Sequence, residues 1–279
     1  MYYLLLFFVF VLGAVIGSFI NVIVLRSNTG ESFLRGRSRC LFCGEKLRWY
    51  ENIPLASFIV QGGRCRHCRS RISWQYPLVE GASGFLFLAV FLKFRSLDGW
   101  FLFAAYYFIV FSILLAIAVY DLRHKIIPDS FVYLFILLSS LNFLLSPEWG
   151  SFSFDLKTFL AGIFFFSFFA ALWLFSRGRA MGFGDAKLAL GIGWLLGLEK
   201  GLTALGISLF LPGLLVIFVL LPLKLTFGRK IYFFSKIKVR GEIPFAPLLI
   251  LGCLTTFFFG DPLYQTFITY LPTVFSPLN

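Results

Sequence analysis

A chain of 279 residues that is 59% hydrophobic and 14% charged, with a mean hydropathy of +0.88, reads as a polytopic membrane protein and excludes an ordinary soluble domain. Its five cysteines are too few and too clustered for a secreted disulfide scaffold. A net charge of +12 would suit nucleic acid, but the basic residues are distributed as membrane topology requires.

Eight apolar segments are each fit to be a helix, at roughly 3–25, 77–92, 100–120, 130–145, 156–175, 187–198, 202–223 and 244–260. The first has no basic n-region and no small-residue cleavage site, so it is expected to be a retained anchor. Within it, Gly13 and Gly17 form the small-xxx-small spacing that lets membrane helices approach closely. Ten Lys and Arg residues lie between Arg26 and Arg71. Arg123, Lys125, Arg177, Arg179, Lys187 and the run from Lys224 to Arg240 fall on the same side. Only Lys93, Arg95, Lys157 and Lys200 fall opposite. The positive-inside rule therefore places the 26–76 connection in the cytoplasm and both termini outside. The expected architecture is an all-α polytopic membrane protein of about eight transmembrane helices: a first helix (1–25), a small cytoplasmic four-cysteine domain (26–76) and a helical membrane domain (77–279).

The 26–76 connection contains Cys40-Leu41-Phe42-Cys43 and Cys65-Arg66-His67-Cys68. Two CxxC turns supply the four thiolates of a closed tetrahedral site, structural zinc or an iron equivalent. Disulfides would be out of place in a reducing cytoplasm. His67 reads as a surface residue and Cys253, alone in the last segment, as a small core residue. Tyr50-Glu51-Asn52-Ile53-Pro54 is a polar turn near the membrane, and Glu80 follows Pro77 by about one helical turn.

Two acids stand at membrane depth, where a carboxylate is expensive and points to function or to a pairing partner. Asp185 follows Met181-Gly182-Phe183-Gly184, and Asp121 lies just past the third segment. The glycines suit irregular backbone, which lipid tolerates only around a cavity or inside protein. From Asp185 to Glu199 is roughly 21 Å of helix, short of the ~30 Å hydrocarbon core. Such a helix starts below the cytoplasmic surface, or the bilayer thins around it. An aspartic protease needs two carboxylates sharing a water, one ionised and one protonated. The helix ends favour Asp185 as the base and Asp121 as the acid. Ile243-Pro244-Phe245-Ala246-Pro247 opens the last segment, either as a plain entry turn or as an unwound wall beside the acids.

In this order, the blocks Gly17 to Val22, the paired cysteines, Tyr50 to Pro54, Tyr76 to Glu80, Asp121 to Asp129, Gly182 to Lys187 and Ile243 to Pro247 resemble the type IV prepilin peptidase family. The resemblance covers nearly the whole chain. Leu41, where family members often have proline, and Gln61-Gly62-Gly63 before Arg64 depart from the pattern without touching the acids or cysteines. The resemblance implies that Asp121 and Asp185 are the catalytic pair of a GxGD-type membrane protease acting on prepilin or pseudopilin precursors. It also implies methylation of the new N-terminus from S-adenosylmethionine. No glycine-rich nucleotide loop is visible, and Glu51, Asn52 and Glu80 are the candidates for methyl transfer. The amine must be neutral to attack, so Glu51 or Glu80 is expected to take its proton. Three rivals fit parts of the pattern. A presenilin-like intramembrane protease would use the same acids, a proton-coupled transporter would use membrane carboxylates, and a nucleic-acid-binding module would use the arginine-rich cysteine loop. The four-cysteine loop and Ile126-Ile127-Pro128-Asp129 favour the prepilin peptidase, with lipid rather than nucleic acid as the partner of the basic loop.

Overall fold

The computed structural model describes residues 2–27, 32, 36–96, 99–144, 154–179, 181–215 and 244–275. Among the described residues the regular elements are helical, and β-pairing is confined to two isolated antiparallel bridges, Arg39 with Lys46 and Arg64 with Arg71. The helices are α1 (Tyr2–Arg26), α2 (Ala56–Val60), α3 (Gln75–Phe94), α4 (Trp100–His124), α5 (Asp129–Ser139), α6 (Leu141–Leu144), α7 (Leu156–Ser176), α8 (Phe183–Leu215) and α9 (Ala246–Phe275). A single 3-10 turn covers Trp49–Asn52. Arg35, Ile243, the end of the seventh apolar segment and the basic run from Lys224 to Arg240 lie outside the described residues. Packing divides the chain into two compact units, Met1–Val119 and Tyr120–Asn279, with the boundary inside α4.

Among the described residues five helices are long and apolar enough to cross a membrane: α1, α3, α4, α7 and Phe183–Phe210 of α8. Asp129–Ser139 and Ala246–Gly260 are shorter apolar helices. The sixth and seventh apolar segments of the sequence are joined in α8, which breaks at Gly197, where φ is 74° and ψ −176°. Only glycine takes that conformation without strain, so the helix breaks two residues before Glu199 and Lys200 interrupt the apolar run. Among the described residues a count of eight spans is therefore not reached by helix length alone.

In the first unit α1 packs on α3 because both surfaces are nearly bare of side chains. A Cβ on Gly13 would sit 2.7 Å from the Ser83 carbonyl oxygen, and one on Gly17 would sit 2.8 Å from Glu80 Cα. Backbones this close gain dispersion contacts that lipid tails cannot match. Asn21 is fully buried in the same seam. Its Nδ2 donates to the Tyr76 carbonyl and its Oδ1 accepts from Gln75 Nε2, both at 3.3 Å, which satisfies the amide at the start of α3. Stacked rings then join α3 to α4, Phe87 on Phe108 at 4.1 Å and Phe94 on Tyr107 at 4.9 Å.

In the second unit α8 is the central element, lying against α5, α7 and α9. Glycines mark each crossing. Gly191 receives the Phe135 ring of α5, and a Cβ on Gly193 would come 2.7 Å from Gly162 Cα of α7. On α9, Gly252 faces the Ala204 carbonyl. Helix α7 starts at the Asp155 cap, whose carboxylate accepts from the Lys157 amide at 3.0 Å and the Thr158 hydroxyl at 2.6 Å. The Thr158 hydroxyl holds the Asp155 carboxyl below its ordinary value.

Candidate active site

Asp121 lies inside the last turn of α4, because the helix runs four residues further than the apolar segment does, to His124. Its carbonyl accepts the Lys125 amide at 2.7 Å, and Lys125 at φ 56° turns the chain out of the helix. Ile126, Ile127 and Pro128 lead into α5, with Pro128 at the position before the first helical residue. Asp185 sits in the first turn of α8, two residues after its start at Phe183. The Asp185 amide donates to the Gly182 carbonyl at 3.2 Å, and the Gly182 backbone also hydrogen-bonds the Asp185 carboxylate.

Gly184 explains how the two acids meet. A Cβ there would lie 3.0 Å from Ile127 Cβ, a crowded contact that glycine avoids as the start of α8 closes on the turn that follows Asp121. The two carboxylates lie within electrostatic reach of one another. They are 5% and 6% exposed, well shielded for ionisable groups. The Ala246 amide at the start of α9 hydrogen-bonds the Asp121 carboxylate, so the segment opening α9 is a wall of the acid pair. Asp185 Oδ1 is buried and has no hydrogen-bond partner among the described residues. A buried carboxylate oxygen left unpaired is costly and marks a place where another polar atom belongs.

Lys187, beside the acid in sequence, turns away from it. Its Nζ lies 2.7 Å from Asp129 Oδ1 at the start of α5, over the Tyr133 ring at 5.0 Å and the Phe183 ring at 5.5 Å. His124 places its ring 4.4 Å from that of Tyr120, and both Arg123 and His124 are exposed.

The four cysteines form one cluster in the first unit, on two turns with the same backbone hydrogen bonds 25 residues apart. Cys40 N–H donates to Glu45 O, Gly44 N–H to Cys40 O and Leu47 N–H to Ser38 O. Likewise Cys65 donates to Ser70, Arg69 to Cys65 and Ile72 to Gly63. The positive φ that each turn needs falls on Gly44 in one and on Arg69 in the other. A tetrahedral metal with bonds of about 2.3 Å to sulfur has sulfur–sulfur edges of about 3.8 Å. Cys40 Sγ and Cys68 Sγ are 3.8 Å apart, and all four Sγ lie within 4.8 Å of one another. The residues present therefore fit a metal ion. Their thiols respond to one another accordingly. Burial raises Cys40, but amides of Cys43 and Phe42 outweigh it and bring the thiol down to about 6. Cys68 is lowered, chiefly by the Ser70 hydroxyl at 3.0 Å. The Glu45 amide acts to lower Cys43, but burial and the neighbouring Cys40 and Cys68 push it up to about 12. Four adjacent thiolates repel, and a cation relieves that repulsion. His67 is exposed and outside the cluster, and Cys253 is wholly buried in α9.

The three residues expected at a methyl-transfer site also lie in the first unit, but in different settings. Glu51 is buried, its Oε2 accepting the Arg48 amide at 2.8 Å while its Oε1 faces Arg66 Nε at 4.0 Å. Arg66 also lies over the Tyr50 ring at 5.2 Å. Glu80 is buried and accepts the Leu55 amide at 2.8 Å. Asn52 is exposed. The Ala246 amide, the Asp129–Lys187 pair and the Leu55 contact of Glu80 escape sequence reading, since each joins residues far apart in the chain. Asn21 carried a signal, as a lone amide in an apolar helix that buries it.

Two family models match the chain, one described as the bacterial peptidase A24 N-terminal domain over residues 11–94 and one as the type IV leader peptidase family over residues 108–260. A prepilin leader peptidase/N-methyltransferase of Burkholderia pseudomallei is 33% identical over 92% of this chain and 86% of its own length. One from Bacillus subtilis is 31% identical over 93% of this chain and 96% of its own length. One from Myxococcus xanthus reaches 45% over a stretch covering 44% of this chain and 36% of that protein. No solved structure matches the chain. Taken with the paired acids and the clustered cysteines, these matches show that the chain belongs to the type IV leader peptidase family.

Proposed function

We propose that this chain is a membrane aspartic endopeptidase that removes the short leader of type IV prepilin-like proteins and methylates the N-terminus it exposes. The observation that carries the proteolytic half is the meeting of Asp121 and Asp185, buried together with Asp185 Oδ1 unpartnered. Like charges this close do not both ionise cheaply, so the pair holds one proton. A water between them gives a proton to the ionised carboxylate as its oxygen attacks the scissile carbonyl carbon. The protonated carboxyl polarises that carbonyl oxygen. Collapse of the tetrahedral intermediate breaks the C–N bond, and the departing nitrogen takes up the proton. The Ala246 amide holds Asp121 in place, and the close contact of Gly184 with Ile127 holds Asp185 against it.

The metal in this reading is zinc, with Cys40, Cys43, Cys65 and Cys68 as ligands and a purely structural role. S-adenosylmethionine supplies the methyl group when bound, and Glu51, Asn52 and Glu80 are the residues we assign to that half. The cysteine module (26–76) forms a cytoplasmic domain between the first helix (1–25) and the helical membrane domain (77–279). The active acids face the cytoplasmic side of the bacterial inner membrane, and both termini lie outside. A basic leader then stays in the cytoplasm while the apolar helix behind it enters the bilayer. The test is cleavage of a purified prepilin-like precursor by the purified chain, which neither a transporter nor a nucleic-acid module would perform.

A further inference from the structure

The segment from Trp49 to Val60 is pinned at two points by buried carboxylates. Glu51 ties its start to the second cysteine turn through Arg66. The other point is Leu55, with φ 59° and ψ −51°. The Ala56 amide there donates to the Pro54 carbonyl at 2.6 Å. This is a γ-turn whose central residue has a positive φ, the rare and strained form, and a leucine holds it only when its surroundings enforce it.

The enforcing group is Glu80 of α3. Its Oε2 accepts the Leu55 amide at 2.8 Å, and the Ser18 side chain of α1 hydrogen-bonds the same carboxylate. The absence of a side chain at Gly17 brings α1 down onto Glu80, and Leu55 Cδ2 lies 4.0 Å from where a Cβ on Gly81 would be. Glu80 thus fixes the turn to the tightest helix pair of the first unit. Between the two pins, Asn52 and Ile53 are exposed. Glu80, at 7% exposure and already accepting two hydrogen bonds, is covered from an incoming amine.

We propose that Glu80 is a positioning residue for methyl transfer: it clamps the strained Leu55 turn and so sets the Tyr50–Ile53 strip, whose exposed Asn52 meets the newly cut N-terminus. This rests on the placement of methyl transfer at Glu51, Asn52 and Glu80. A clamp differs from a base in what it tolerates. Glutamine keeps an oxygen that accepts the Leu55 amide, and the Ser18 hydroxyl can rotate from donor to acceptor to meet its nitrogen. A base does not survive that change.

The test uses the full-length chain in detergent, with hydrogen exchange followed by mass spectrometry over residues 50–60 and the methylated fraction of fully cleaved precursor. Glu80→Gln should keep both within a few-fold of wild type. Glu80→Ala should speed exchange at Leu55 and lower methylation, each by about tenfold or more, as the strained turn is released. Adding Leu55→Gly to Glu80→Ala should restore part of both, because glycine adopts the positive φ without a clamp. Loss of methylation in Glu80→Gln, with exchange unchanged, would show a base and overturn the clamp; this variant decides alone if Glu80→Ala does not fold. Unchanged exchange in Glu80→Ala would overturn the clamp directly. Faster exchange with undiminished methylation would leave the clamp standing and overturn the placement of methyl transfer on which the proposal rests.

Discussion

At the scale of the residue, the account depends on Asp121 and Asp185 acting as one unit. Asp121→Asn and Asp185→Asn should each lower cleavage by about a thousandfold or more, and the double variant should be scarcely slower than either single one. Initial rates on a purified precursor check this, and additive losses would mean two independent roles. Both acids were legible in the sequence as carboxylates at membrane depth, one of them behind a pair of glycines. Their partners were not. The Ala246 amide comes from a helix that starts some sixty residues after Asp185. Lys187, two residues from Asp185, is taken up by Asp129 across the start of α5. A linear chain does not reveal which of several cations an acid meets.

At the scale of the element, bare glycine surfaces set how the helices cross. Gly193→Ala would drive a Cβ to 2.7 Å from Gly162 Cα and 3.0 Å from the Ala161 carbonyl oxygen, and backbone cannot move aside. It should destabilise the second unit by about 1–3 kcal/mol, read as a lower unfolding midpoint in detergent. Gly206→Ala, with none of the described residues within 4 Å of the added carbon, should be neutral or slightly stabilising in the same helix. The helices themselves were legible, since apolar runs of spanning length have few other uses. Their ends were less so. Helix α4 carries Asp121 inside its last turn because the backbone ladder outlasts the apolar run. In the cysteine module, the 25-residue offset between Cys40 and Cys65 is visible in the sequence, whereas the matching hydrogen bonds around each pair are visible only in the fold. About one zinc per chain should copurify, and Cys40→Ser with Cys43→Ser should release it and leave the module protease-sensitive. Active protein that holds no metal by elemental analysis would contradict the site.

At the scale of the whole molecule, the reading is a membrane protein with its acids and its cysteine module on the cytoplasmic side. A cysteine placed at Glu199 should react with a membrane-impermeant maleimide in intact cells, and one placed at Ser73 only after the membrane is opened. The opposite pattern would invert the topology and separate the acids from a cytoplasmic leader. The proposed orientation rests on the charge distribution along the chain, where each basic cluster is local in sequence. The strained turn at Leu55 was hidden, since its clamp lies 25 residues further on and a Glu near a helix start is sufficiently explained by the helix dipole. The most direct measurement is mass spectrometry of a prepilin-like precursor incubated with the purified chain and S-adenosylmethionine. The account predicts a product cut after its basic leader and carrying one methyl group on the new N-terminus, and an intact precursor with Asp185→Asn. A precursor left whole by the wild-type chain, or cut equally well by Asp185→Asn, would contradict it.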